Sequence, residues 1–199
     1  MSIKHQQLIN YLECAVSLPE ETQEIIRECF MLRRFKKGQY ILNEGEFCRY
    51  NNFVLQGAFR MFIVDENFKE HNLQFAFNNW WIGDPKSFFN DVTTRLNIQC
   101  FENAEVLSVT KANQEKMLES CPELNSLFRE KFRNSMIRSY DRILSLIGSN
   151  AQSRYKDFLE TYPQYLHRLP NQYIASYIGV TPEFFSKLKK EYWQQSKAS

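Results

Sequence analysis

Apolar positions between residues 5 and 31 recur at helical spacing, and Pro19-Glu20-Glu21 opens a second helix directly after Leu18. From Phe35 the period shortens. The runs "FKKGQYILNEGE", "NNFVLQGAFRMFIV" and "NLQFAF" are rich in Ile, Val, Phe and Tyr, are punctuated by Gly38, Gly45 and Gly57, and predict short strands. "IQCFENAEVLSVT" continues this pattern to Thr110. Short strands joined by glycine turns predict an antiparallel roll or barrel. Helical spacing returns at "KANQEKMLES" and, after Pro122, extends from Glu123 to Ile147. Along that segment Leu124, Phe128, Phe132, Met136, Tyr140, Ile143 and Ile147 recur every three to four residues. Such a helix is about 37 Å long at the standard rise. Its stripe exceeds what a small roll covers. A partner helix is the natural cover, with burial against its own domain as the alternative.

Gly148-Ser149-Asn150 interrupts the long helix, "AQSRYKDFLETYP" predicts a short one stopped by Pro163, and "NQYIASYIG" predicts another after Pro170. In "IASYIGVTPEFFSK", Ala175 supplies the small residue that closely crossing helices need, and Gly179 supplies a residue comfortable at positive φ. Thr181-Pro182 then reads as a capped helix start. Ile178, Val180, Phe185 and Leu188 are the predicted core of a helix-turn-helix, and an ordinary helical hairpin is the alternative. Phe184 falls on the flank. Glu183, Ser186 and Lys187 face outward near the N-terminal end of the second helix, the end that enters a major groove, and are the candidate base-reading residues. Asn171, Thr181 and Lys190 flank them as candidate phosphate contacts. The whole reads as an α+β chain: residues 1–122 an N-terminal antiparallel β-roll with flanking helices, 123–149 a long dimerisation helix and hinge, and 150–199 a helix-turn-helix domain.

Composition narrows the functional classes. A chain of 199 residues with 43% hydrophobic and 15% aromatic residues can bury a substantial core. No apolar run approaches the roughly 18 residues of a membrane span. The charged N-terminus "MSIKHQQLINYLEC" is unlike a secretory signal, so a cytoplasmic location without membrane contact is expected. Cys14, Cys29, Cys48, Cys100 and Cys121 form no C-x-x-C, and His5, His71 and His167 are isolated, so no metal site is expected. No catalytic motif is present, and no residue is assigned a catalytic role. A cupin-like metalloenzyme would need converging histidines where the strands offer only His71, and a sensor module without DNA binding would leave the last 50 residues without a role. The net charge is +2, yet residues 150–199 hold 7 basic and 4 acidic side chains, leaving +3 there and −1 elsewhere. That asymmetry favours nucleic acid weakly.

From Phe35 to Lys190 the chain resembles the Crp/Fnr family of bacterial transcription regulators. "FKKGQYILNEGE" is similar to the family's first roll strands, "NFVLQGAFRMF" to its glycine-centred hairpin, and "WWIGD" to its ligand loop. "SRYKDFL" and "IASYIGVTPEFFSK" resemble its DNA-binding domain. The resemblance implies a cyclic-nucleotide-binding-type sensor roll, a dimer helix and a winged helix-turn-helix. It implies a homodimer on an inverted-repeat DNA operator, with RNA polymerase as a further partner and a small effector in the roll. By the same resemblance an effector pocket falls at Gly83, Asp84, Thr94 and Arg95, against Ser139 and Tyr140. The family's cyclic-AMP binders carry a Gly-Glu pair and an Arg-Ser pair. Here Gly83-Asp84 stands for the first, while Thr94-Arg95 lacks the following Ser and registers only with a one-residue shift. Cyclic AMP is therefore not the expected ligand, and no cofactor is expected. The short interval from Pro163 to Pro170 implies that a wing is abbreviated or missing.

Overall fold

The structure is a computed structural model that describes residues 3–198, with the backbone alone for 195–198. Two helices, α1 (Ile3–Glu13) and α2 (Glu20–Cys29), precede eight strands. These are β1 (Phe30–Phe35), β2 (Tyr40–Leu42), β3 (Tyr50–Gln56), β4 (Phe59–Val64), β5 (Glu70–Ala76), β6 (Trp81–Ile82), β7 (Asn97–Cys100) and β8 (Ala104–Thr110). Helix α3 (Pro85–Asn90) sits between β6 and β7. The strands form two four-stranded sheets ordered β1-β8-β3-β6 and β2-β7-β4-β5. Then come α4 (Lys111–Ser120), the long α5 (Pro122–Gly148), α6 (Ala151–Thr161), a 3-10 turn at Pro163–Tyr165, α7 (Asn171–Ile178) and α8 (Pro182–Ala198). Among the described residues no strand follows β8.

Two compact units emerge, one of residues 1–63 and 74–131, the other of 64–73 and 132–199. This partition differs from the sequence-based one in two ways: it cuts α5 after Lys131, and it assigns the tip of the β4-β5 hairpin to the second unit.

In the first unit α1, α2 and the start of α5 cover one sheet. Leu8, Ile9, Leu12, Ile26, Phe53, Leu107, Met117 and Leu124 share its core. Phe128 packs on Trp81 with ring centroids 5.4 Å apart. Leu124 and Phe128, the first two residues of the expected dimer stripe, are thus engaged by their own roll. The helical reading to residue 31 also yields to the structure. "FMLRRF" is β1, because all six of its residues pair in register with β8, from Phe30 opposite Val109 to Phe35 opposite Ala104. Gly57 carries a constraint of its own. It sits at φ +96, and a Cβ there would lie 2.5 Å from the carbonyl oxygen of Asn103 and 2.6 Å from Ala104 Cβ, so only glycine lets the β3–β4 turn approach β8 this closely.

In the second unit α6, α7 and α8 bury Tyr155, Phe158, Tyr162, Ile174, Ala175, Ile178, Phe185 and Leu188. Tyr155 meets Phe185 edge to face at 5.2 Å. The hairpin tip joins this unit through hydrogen bonds of the buried Asn72 and of half-buried polar groups. The Asn72 N–H donates to Ser176 Oγ at 2.9 Å, and the Ser176 hydroxyl donates to the Glu70 carbonyl at 2.7 Å. The Arg142 guanidinium donates to the carbonyls of Leu73, Asn72 and Tyr177, each at 2.9 Å, and lies 4.0 Å over the Tyr177 ring. Burial lowers the Arg142 pKa, since three carbonyl dipoles replace bulk water around the cation.

Candidate nucleic-acid interface and effector site

Helix α7 ends because Gly179 takes the left-handed conformation, φ 72 and ψ 40, and the Val180 N–H returns to the Ala175 carbonyl at 3.0 Å. Two residues later Thr181 caps α8: its Oγ accepts from the Phe184 N–H at 3.2 Å, and its carbonyl accepts from the Phe185 N–H at 2.9 Å. Phe185 points inward and is fully buried, while Phe184 is half-exposed. The polar side of the helix faces solvent, with Glu183, Ser186, Lys187 and Lys190 all exposed.

These side chains are not equally free. The Glu183 carboxylate sits below its usual pKa because its own backbone N–H and the Thr181 hydroxyl donate to it, which makes it part of the helix cap. The Ser186 hydroxyl donates back to the Pro182 carbonyl at 2.9 Å. Asn171 accepts from the Lys189 ammonium at 3.0 Å, a bond between α7 and α8 that periodicity does not reveal. Among the described residues Lys187 and Lys190 have no hydrogen bond or ion pair, leaving two unengaged cations on this face.

On α5 the stripe beyond Lys131 is open. Phe132, Met136, Tyr140 and Ile143 are 54%, 59%, 62% and 54% exposed, and Ile147 is 81% exposed. Leu144, the alternative to Ile143 at that position of the stripe, and Ile137, which lies outside it, widen the same apolar surface.

The residues assigned to an effector pocket are distributed over both units. Gly83, Asp84 and Thr94 come together in the first unit. Asp84 caps α3, accepting from the Lys86 N–H at 3.0 Å with one oxygen and from the Thr94 hydroxyl at 2.6 Å with the other. Thr94 in turn accepts from the Leu96 N–H at 2.9 Å. Arg95 is exposed, and Ser139 and Tyr140 are exposed residues of the second unit. Among the described residues no group of three or more His, Cys, Asp or Glu side chains forms a metal site, and no helix is long and apolar enough to cross a membrane.

Comparison with known proteins accords with this architecture. Residues 32–121 match the family model of the cyclic nucleotide-binding domain. No curated protein sequence matches the chain. Among solved structures it is similar to FixK2 from Bradyrhizobium japonicum, with 18% identity and TM-score 0.74 over 84% of this chain and 86% of that one. It is also similar to CLP, a c-di-GMP-responsive global regulator of Xanthomonas campestris, with 12% identity and TM-score 0.72 over 89% and 93% of the two chains. A candidate Crp/Fnr regulator from Eubacterium rectale aligns with 14% identity and TM-score 0.69 over 94% and 88%. Residues 32–121 thus resemble a cyclic nucleotide-binding domain, in a chain that shares its fold with transcription regulators of the Crp/Fnr kind.

Proposed function

We propose that this protein is a sequence-specific DNA-binding transcription regulator of the Crp/Fnr type. It acts in the cytoplasm as a homodimer on an inverted-repeat operator and responds to a small effector. The observation that carries the reading is the solvent-facing side of α8, which follows a left-handed glycine turn and presents Ser186, Lys187 and Lys190 over a core closed by Phe185.

Lys187 is the lead base-reading residue, suited to guanine O6 and N7. Glu183 suits a cytosine amino group. With its proton committed within the helix, Ser186 offers an acceptor. Lys190, Thr181 and the amide of Asn171 contact phosphates and fix register. The exposed stripe from Phe132 to Ile147 joins the two subunits, which places two reading helices on half-sites about one helical turn apart.

Binding-site selection from a random duplex library tests this reading. The full chain is expected to recover an inverted repeat. Glu183→Ala should relax one base pair per half-site by roughly 1–3 kcal/mol, whereas Lys190→Ala should weaken all sequences alike and flatten the salt dependence. Recovery of no motif would favour a sensor module that does not bind DNA. An unchanged motif at full strength with Glu183→Ala would remove that residue from the reading face.

A further inference from the structure

A pocket of about 390 Å³ opens in the first unit, where β1, β2 and the segment leading into β3 meet. None of Gly83, Asp84, Thr94 or Arg95 lines it. Its floor is apolar, from the buried Leu42 and Ile98, and its walls include Phe47 and Tyr50. Two cations reach it, Arg33 and Arg49. The Arg33 guanidinium is stacked between aromatic faces, 4.6 Å from the Tyr50 ring centroid and 5.0 Å from that of Phe35. Stacking fixes the plane of the guanidinium and leaves its N–H edges to find acceptors. Among the described residues they find none. Nη1 is buried without a hydrogen-bond partner, and among the described residues no carboxylate pairs with Arg33 or Arg49. The one carboxylate in the lining, Glu46, is engaged elsewhere, accepting from the Asn43 N–H at 2.8 Å and from the Asn43 side-chain amide at 3.2 Å.

We propose that this pocket binds a small organic anion. One carboxylate or phosphate group is held by Arg33 and Arg49, and a planar or apolar body lies along Phe47 and Tyr50 above Leu42 and Ile98. A preoriented guanidinium lacking a carboxylate favours an oxyanion, because charge-assisted bonds to a planar fork are the strong ones. The volume falls within the range of small-molecule sites. Binding also has a route to the rest of the roll. The Cys48 N–H, in the pocket lining, donates to Ser87 Oγ at 2.8 Å, the Cys48 sulfur accepts from the Asp84 N–H at 3.4 Å, and the Glu46 carbonyl accepts from the Thr94 N–H at 2.8 Å. A ligand that draws in residues 46–50 therefore pulls on the Asp84–Thr94 pair. The binding claim stands without DNA; only its role as the effector site rests on the regulator reading.

The test is calorimetry on the full chain without DNA, using benzoate, phenyl phosphate and inorganic phosphate as probes. Saturable binding of benzoate or phenyl phosphate is expected, and whichever binds identifies the oxyanion. Arg33→Gln and Arg49→Gln should each weaken it at least about tenfold, equivalent to about 1.4 kcal/mol. Arg34→Gln, the neighbouring cation that pairs with Glu105 at 2.9 Å, should leave it unchanged. Arg49 is exposed, so its variant reports on binding even if Arg33→Gln impairs folding. The proposal is overturned if none of the probes saturates, if binding survives at full strength in Arg49→Gln, or if inorganic phosphate binds as tightly as the organic probes, since that would show an adventitious ion only. Retained DNA binding alongside any of these results would leave the regulator reading intact.

Discussion

Met136 lies mid-way along the open stripe of α5, with 59% of its surface still exposed in the single chain. Burying a whole Met side chain is worth about 1.5–3 kcal/mol, so the part left to bury is worth about 1–2 kcal/mol. In the proposed dimer two-fold symmetry doubles that to roughly 2–4 kcal/mol, or a factor of about 30–900 in the dissociation constant. Met136→Asp removes this term and sets two carboxylates against each other across the seam, so the factor is a lower bound. Sedimentation equilibrium measures it directly, and, on the proposed function, affinity in a mobility shift on the selected operator should fall in step. Met136→Leu keeps the apolar volume and should shift the constant by no more than about threefold. The reasoning fails if folded Met136→Asp dimerises like the parent, or if the parent is a monomer at micromolar concentration.

Three further outcomes follow from geometry. Gly179→Ala should destabilise the second unit by about 1–2 kcal/mol in urea melts through backbone strain alone. At φ +72 its added Cβ would meet nothing closer than Leu146 Cδ2 at 3.7 Å. Thr94→Val removes the hydroxyl that donates to Asp84 and accepts from the Leu96 N–H, and should cost about 1–3 kcal/mol in the first unit, whereas an unaltered melt would show that the Asp84–Thr94 bond does not matter. The Asp65 carboxylate at the hairpin tip lies below its usual pKa, chiefly because His71 bonds to it at 2.7 Å, then through the Lys69 N–H. A depressed folded-state pKa stabilises above the ordinary carboxylate range and is lost as pH falls through the depressed value. Protection of the Asn67 and Lys69 amides relative to their intrinsic exchange rates should therefore fall as pH drops below that range, and His71→Gln should move the transition to higher pH; an unmoved midpoint would rule out His71 as the cause.

The helix-turn-helix was legible because its signals are local: Gly179 for the left-handed turn, Thr181-Pro182 for the cap, and Phe185 and Leu188 for the inward face. What escaped depends on partners distant in sequence. "FMLRRF" satisfies a helical spacing as readily as a strand, and only pairing with β8 decides between them. Periodicity shows one stripe on α5 but not that Leu124 and Phe128 serve the roll while Phe132 onward stays open. Helix α3 had its signature in Asp84-Pro85, a cap followed by proline at the first helical position, within a segment read as a ligand loop. Arg142 and Arg33 look like surface charges in the sequence. Burial of the first among carbonyls, and the stacking of the second on Tyr50, come from the tertiary fold.

The docking of residues 64–73 against Arg142 and Ser176 bears on how this protein can be dissected. The polypeptide passes between its two compact units three times, after residues 63, 73 and 131, so the C-terminal unit is discontinuous in the gene. A fragment cut at residue 132 would carry the helix-turn-helix but leave Arg142 without the carbonyls of Asn72 and Leu73, a half-buried cation stripped of two of its three acceptors. Exchanging C-terminal units between chains of this fold at the long helix alone would split this contact. A chimera that keeps it intact must exchange the hairpin tip as well.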